Sequence, residues 1–173
     1  FFELEDSHII EACRHLNDLL TESAASIDED FFRLYLEDTG LFVTLCFYDR
    51  EFSDNTIYGS LVRGRLPANL GYVYENAVAQ GLKAAGYGLF YHTVPTNDSK
   101  HKYEIDFVIP SGKKICPIEV KSSSVSCHAS LDAFIEKHGN DVHRGVVISG
   151  KNLREEDGIV YLPIYMTGLI GRL

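Results

Sequence analysis

The sequence predicts an α/β domain in which helices flank a mixed sheet, and three observations support this class. From residue 68 onward, segments with helically spaced apolar residues alternate with short β-branched and aromatic runs, in the order αβββαβ. Hydrophobic residues make up 45% of the chain and charged residues 24%, as in ordinary globular proteins. A length of 173 residues suffices for one core and a small appended element.

Residues 1–67 are predicted to form a helical extension that packs on a core of residues 68–173. Apolar residues at helical spacing follow a Ser7 N-cap, which predicts an amphipathic helix to Leu20. The aromatic, alternating run after Asp30 predicts a strand, and the apolar run after Gly40 predicts a buried helix. The later elements of this extension are a strand at Phe31–Leu36, a helix at Leu41–Phe47 and a loop at Tyr48–Asn55.

The core begins with a helix over Ala68–Ala85 that Gly86 terminates. Pro110-Ser111-Gly112 predicts a hairpin between two of the strands that follow. The remaining elements predicted are strands at Leu89–Val94, Tyr103–Ile109 and Lys114–Lys121, a helix at Ser130–His138, a strand at Gly145–Ser149, a loop at Lys151–Asp157 and a strand at Ile159–Pro163.

Composition argues against several classes of protein. No apolar run approaches the roughly 20 residues that span a bilayer, and no signal segment opens the chain, so we expect a cytoplasmic protein without a membrane partner. Four cysteines without a C-x-x-C pair make structural zinc and disulfides unexpected. The net charge of −9 opposes nucleic-acid binding, although Arg63, Arg65, Lys100, Lys102, Lys113 and Lys114 supply local basic groups. Phe1 in place of an initiator Met indicates a fragment or a processed chain.

Four polar residues have the spacing that a metal-dependent phosphodiesterase needs. Glu119 and Lys121 lie two residues apart on one predicted strand and therefore share a face. Asp106 lies on the preceding strand, and Glu75 lies on the helix. Carboxylate oxygens are the ligands that Mg²⁺ and Mn²⁺ prefer, and a bound ion can activate water. These residues therefore predict a divalent-metal site with hydrolytic chemistry.

Each of these residues also has a purely structural interpretation. Glu119 and Lys121 fit an ordinary half-exposed strand, and Glu75 fits a solvated helix face. Asp106 and Lys121 fit a buried ion pair without a metal. Among the histidines only His92, on the strand that enters the predicted cleft, is a candidate for a functional role, and a surface imidazole is the simpler interpretation.

The element order, with Ile105-Asp106-Phe107-Val108 on the second strand and Ile118-Glu119-Val120-Lys121-Ser122 on the third, resembles the PD-(D/E)XK nuclease superfamily. More narrowly, residues 31–165 resemble a domain at the C-terminus of many bacterial and archaeal AAA+ ATPases. Two phrases carry that likeness, one at Tyr35–Leu41 and one at Gly71–Ala79. Ile105 stands where the superfamily's name-giving proline would precede the aspartate.

This resemblance implies a restriction-endonuclease-like fold, a DNA substrate and an ATPase domain upstream in the full-length protein. By similarity, Asp106, Glu119 and Glu75 would bind Mg²⁺ or Mn²⁺, and Lys121 would orient the attacking water or stabilise the phosphorane-like charge. A G-x-x-x-x-G-K-[ST] phosphate loop is missing from the sequence, so we expect no ATP hydrolysis by this chain. The alternative function is a catalytically inactive module of the same fold that regulates or docks a partner of an ATPase.

Overall fold

The structure is a computed structural model that describes residues 2–19, 26–46, 63, 70–95, 102–122 and 127–172. Helices in these ranges are α1 (Phe2–Asp6), α2 (Thr39–Cys46), α3 (Leu70–Ala84), α4 (Ala129–His138) and a 3₁₀ helix (Ile164–Arg172). Strands are β1 (Ile10–Leu16), β2 (Ile27–Leu36), β3 (Phe90–Pro95), β4 (Lys102–Ile105), β5 (Phe107–Ser111), β6 (Lys114–Lys121), β7 (Gly145–Ser149), β8 (Arg154–Glu156) and β9 (Ile159–Pro163).

The strands form two mixed sheets, which confirms the predicted α/β class. The larger sheet has the order β5-β6-β7-β9-β8, with β6, β7 and β9 parallel and antiparallel strands at both edges. The smaller sheet has the order β2-β1-β3-β4, in which only β1 and β3 are parallel. The chain passes from the smaller sheet to the larger one between β4 and β5, at Asp106.

The two faces of the larger sheet carry different parts of the core. Strand side chains alternate between faces, so Ile118 packs with Val78 and Leu82 of α3, whereas Val147 packs with Leu131 and Phe134 of α4. All of these side chains are fully buried. The sheet therefore separates α3 from α4, and a side chain on β6 faces one helix or the other.

A buried amide attaches α3 to the smaller sheet. Asn76, only 1% exposed, accepts the Leu36 N–H at Oδ1 (2.8 Å) and donates from Nδ2 to the Leu36 carbonyl (2.9 Å). Nδ2 also contacts the Thr39 hydroxyl at 3.0 Å. Because these bonds join α3 to the end of β2, they bring Glu75 next to the inward side chains of that strand.

The helix predicted for residues 7–20 is wrong, because residues Ile10–Leu16 form β1 between β2 and β3. The apolar residues of this segment fit the spacing of a helix, and they also fit a strand that is buried on both faces. Pairing with β2 and β3 selects the strand. The described part of residues 1–67 is thus two short helices and two strands rather than a helical extension. The boundary predicted at residue 67 lies outside the described residues.

Most elements predicted for the core are confirmed. Gly86 and Gly112 have φ angles of +87° and +65°, as expected for the end of a helix and a tight hairpin. Three details differ from the prediction. The strand predicted at Tyr103–Ile109 divides at Asp106, and the loop predicted at Lys151–Asp157 contains the edge strand β8. Outside the core, the helix predicted to be buried after Gly40 is α2, which buries only Val43. The loop predicted at Tyr48–Asn55 lies outside the described residues.

No helix in the described ranges is long and apolar enough to cross a membrane.

Candidate functional site

Asp106 lies where one long strand divides into β4 and β5. The antiparallel pairing of β5 with β6 begins at Phe107 and Ile118, whereas Ile105 pairs with β3. At this fork Asp106 Oδ2 accepts the N–H of Val120 at 2.7 Å. The carboxyl therefore accepts a hydrogen bond from a backbone donor on β6, beside the point where the chain passes from β4 in the smaller sheet to β5 in the larger one.

Burial raises the pKa of the Asp106 carboxyl from 3.8 to about 7. The hydrogen bond from Val120 lowers this pKa, the Glu75 carboxylate raises it, Arg33 lowers it and Glu119 raises it. Two neighbouring carboxylates thus disfavour ionisation of a third. Such crowding is relieved by protonation or by a bound cation.

Glu119 and Lys121 share a face of β6, as predicted, and contact each other. Lys121 Nζ lies 2.5 Å from Glu119 Oε1, and the Glu119 side chain is 6% exposed. The other oxygen, Oε2, accepts the N–H of Leu131 in the first turn of α4 at 3.2 Å. His128 makes no side-chain capping bond, so Glu119 satisfies a donor at the start of this helix. The ion pair of Lys121 with Asp106, considered from the sequence, is not formed among the described residues.

Glu75 is half-buried rather than solvated, and it faces β2. Its Oε2 accepts a hydrogen bond of 3.4 Å from the Tyr35 hydroxyl and lies 4.0 Å from Arg33. Burial raises the pKa of Glu75, and Arg33 and the Tyr35 hydrogen bond lower it. Glu75 therefore belongs to the same electrostatic cluster as Asp106.

Arg33, on β2, is the residue of this site that the sequence did not identify. Its guanidinium forms an ion pair with Glu104, lies 3.7 Å from Asp106 Oδ1, and covers the ring of Tyr91 at 4.6 Å. A signal existed in the sequence, since alternation on the predicted strand places Arg33 on the same face as the core residue Tyr35. A charged side chain on an inward face needs partners of opposite charge.

The site opens into a pocket of about 580 Å³, here called the Arg33 pocket. Its lining residues are Arg33, Leu34, Tyr35, Gly71, Tyr72, Glu75, Glu104 and Asp106. From the sequence, we expect Lys100, Lys102, Lys113 and Lys114 to flank the site, but Lys113 and Lys114 line another cavity at the hairpin end of β6. That end lies about 23 Å from Lys121, at about 3.3 Å per residue along the strand.

The carboxylates form a cluster that the described residues neutralise only in part. We call Glu75, Glu104, Asp106 and Glu119 the carboxylate cluster, and its cationic partners in the described ranges are Arg33 and Lys121. In this conformation Glu75, Asp106 and Glu119 are not a group whose ligand atoms all lie within 4.8 Å of one another. The structure therefore does not bring the predicted metal ligands together as one group. Arg33 lies within 4.0 Å of both Glu75 and Asp106, whereas Glu119 contacts Lys121 and the first turn of α4, on the side of the larger sheet opposite α3.

The donor chemistry of the cluster nevertheless fits the predicted ion. Mg²⁺ and Mn²⁺ bind hard oxygen ligands, and the cluster offers carboxylate oxygens; burial first, and then the nearby Glu75 and Glu119, raise the pKa of Asp106. Asp106, Glu119 and Glu75 are the residues that would hold such an ion.

A separate group of possible ligands lies at the start of β1, and no sequence pattern indicated it. His8, Glu11 and Glu37 place one ligand atom each within 4.8 Å of the others, and His8 Nδ1 lies 3.2 Å from Glu37 Oε1. Glu11 also pairs with Lys83 at 3.1 Å. Any metal titration of this protein must separate this group from the carboxylate cluster.

His92 is buried, not a surface imidazole, and it does not line the Arg33 pocket. Its Nδ1 contacts the Leu16 carbonyl at 2.7 Å, and its ring stacks on His15. Its role is therefore within the core between β1, β3 and α4.

The model of a protein family described as a domain of unknown function, DUF4143, matches residues 70–167. This range covers more than half of the chain. The chain belongs to the DUF4143 family. The matched residues include Glu75, Asp106, Glu119 and Lys121, whereas Arg33 precedes them. Neither the curated proteins nor the solved structures contain a match to the chain.

Proposed function

We propose that this DUF4143 chain is a divalent-metal-dependent phosphodiesterase domain of restriction-endonuclease-like fold, which acts on DNA as the C-terminal part of a longer AAA+ ATPase. The observation that carries the proposal is the position of Asp106. It is buried at the fork between β4 and β5, close to Glu75 and Glu119 and at the wall of an open pocket. Clefts with strongly perturbed carboxyl groups are frequent at catalytic sites.

Two further features support this function. The order of elements from α3 to β7 agrees with the αβββαβ core of the superfamily that the sequence resembles, counting β4 and β5 as one divided strand. A bound Mg²⁺ or Mn²⁺ would supply Lewis-acid activation of water and of the scissile phosphate. Lys121 would orient the water, and its contact with Glu119 holds its ammonium at the cluster.

Each of these residues also keeps a local structural role that supports its position. Oδ2 of Asp106 accepts the Val120 N–H while Oδ1 lies 3.7 Å from Arg33, and Oε2 of Glu119 accepts the Leu131 N–H while Oε1 contacts Lys121. A backbone donor thus fixes one oxygen of each carboxylate, and this fixes the orientation of the other oxygen before any ligand binds.

The test is calorimetric titration of Mn²⁺ into the wild-type chain and into an Asp106→Asn/Glu119→Gln variant. Both amides keep an oxygen for the Val120 and Leu131 donors, so the variant should remain folded. Both proteins would also carry His8→Ala, which removes the imidazole of the separate ligand group. We expect saturable binding that the double substitution abolishes, together with Mn²⁺-dependent cleavage of DNA by the wild-type chain alone.

A second candidate function is a non-catalytic module that docks or regulates an ATPase. Two observations favour it. Arg33 and Lys121 already neutralise part of the cluster, and Phe32, Leu34 and Tyr72 expose large apolar side chains, with Leu34 and Tyr72 at the same pocket. Equal, negligible heats in both proteins and no cleavage would refute the first function and leave this one.

A further inference from the structure

The guanidinium of Arg33 is the only basic group among the described residues that line the Arg33 pocket. It enters from β2, outside the αβββαβ core, and its side chain is 23% exposed. A phosphodiester that reached the cluster through this pocket would meet three carboxylates on its walls and one cation. Binding an anion there requires that cation to be available.

The contacts of Arg33 differ in strength. Its ion pair with Glu104 joins two partly exposed groups, whereas its separations of 3.7 Å from Asp106 Oδ1 and 4.0 Å from Glu75 Oε2 are too long for hydrogen bonds. The attraction to Asp106 and Glu75 is therefore electrostatic and non-directional. A guanidinium has five N–H donors in a planar fork that matches phosphate oxygens.

Arg33 and a divalent cation are attracted by the same oxygen atoms. Asp106 Oδ1 is the oxygen that Val120 leaves free, and it is the one nearest Arg33. Glu75 Oε2 faces the same guanidinium. Two positive charges at these oxygens repel each other, so occupancy by one weakens the attraction of the other.

We propose that Arg33 is a phosphate-binding residue of this site. Asp106 and Glu75 attract its guanidinium until a divalent cation binds their oxygens, and the guanidinium, still paired with Glu104, then offers its remaining N–H donors to the phosphodiester. The inference rests on the proposed function, since it assigns a cation to the same carboxylates. It makes cation and phosphate binding cooperative, because each favours release of Arg33 from the carboxylates. The stack on Tyr91 keeps the guanidinium at the pocket wall during this exchange.

The test uses Arg33→Met, which keeps an unbranched apolar stem and removes the guanidinium and its charge. Arg154→Met is a matched control, because Arg154 also lies on a strand, pairs with a glutamate and stacks on a tyrosine, Tyr161, away from this site. Two probes are measured in the His8→Ala background: Mn²⁺ by calorimetry, and a short fluorescent single-stranded DNA by anisotropy with Ca²⁺ present.

We expect Arg33→Met to raise Mn²⁺ affinity by about tenfold and to lower DNA affinity by about tenfold, within the range of typical coupling energies. The control should change neither. Arg33→Lys keeps the charge but not the fork, so it should leave Mn²⁺ affinity near the wild-type value and still weaken DNA binding. Opposite changes in two affinities cannot arise from partial unfolding, which would lower both.

The failures are distinguishable. If wild-type protein binds Mn²⁺ at the cluster but Arg33→Met changes neither affinity, the role of Arg33 is wrong and the metal site stands. If neither protein binds Mn²⁺ in a way that Asp106→Asn/Glu119→Gln abolishes, the proposed function itself is refuted, and this inference fails with it. A fall of both affinities in Arg33→Met, with an unchanged urea midpoint, would also overturn the exchange.

Discussion

Replacing Asp106 by Asn should stabilise the protein more at high pH than at low pH. The carboxyl ionises near 3.8 in the unfolded chain and near 7 in the folded one, because the folded site is buried beside Glu75 and Glu119. Stability from this group is therefore fully present below pH 3.8 and is lost as the pH rises through about 7. At about 1.4 kcal/mol for each pH unit between these values, ionisation costs the folded state about 4 kcal/mol.

Most of this cost falls between pH 5 and pH 8, where the wild type should lose about 3 kcal/mol that the Asp106→Asn variant does not lose. The assay is urea unfolding of both proteins at the two pH values, with EDTA present so that no cation binds. The substituted amide keeps an oxygen for the Val120 N–H, which limits other effects of the substitution. Asp157→Asn is the control, because Asp157 is exposed and Asn tolerates its positive φ of 51°. An advantage of the Asp106→Asn variant that is the same at both pH values would refute the assignment of a buried, crowded carboxyl.

Three other predictions use the same unfolding or titration assays. Asn76→Ala should lower the free energy of unfolding by about 1–2 kcal/mol, because it leaves the part-buried N–H and carbonyl of Leu36 unpaired; a loss below about 0.5 kcal/mol would contradict these bonds. Gly112→Ala should cost about 1 kcal/mol through its φ of +65°, although open space surrounds the site, and an unchanged urea midpoint would show that the hairpin adjusts. His8→Ala should remove an imidazole ligand and weaken Zn²⁺ binding at the group of His8, Glu11 and Glu37 by at least about tenfold. Equal Zn²⁺ titrations of the two proteins would show that no metal binds there.

Local sequence patterns predicted those elements whose residues are compatible with only one secondary structure. The hairpin at Gly112 and the buried run Gly145–Ser149 are examples, because turn chemistry and continuous apolar residues each favour one structure. Ile10–Leu16 could not be predicted in this way. Its pairing with β2 and β3 involves residues about 10 to 80 positions away, and seven residues are too few for periodicity to separate a helix from a strand.

The same limit applies to the candidate site. Spacing within a strand predicted that Glu119 and Lys121 would share a face, and they do. It could not reveal that Glu119 caps α4 or that Arg33 reaches Asp106, because each contact joins two different elements whose relative placement depends on the fold. Composition supplied only a count of charges, whereas the balance at the site depends on which of them the fold brings together.

The amide of Asn76 has a consequence for association between molecules. Strand β2 is the outer strand of its sheet in the described part of the chain, and it exposes Phe32 and Leu34. Such an edge is a template on which another chain can add a strand and begin an aggregate. Asn76 occupies both backbone groups of Leu36 as a neighbouring peptide would, so it blocks the register of an incoming strand at one end. One side chain thus joins a helix to the sheet and shortens the edge at which copies of this protein could polymerise.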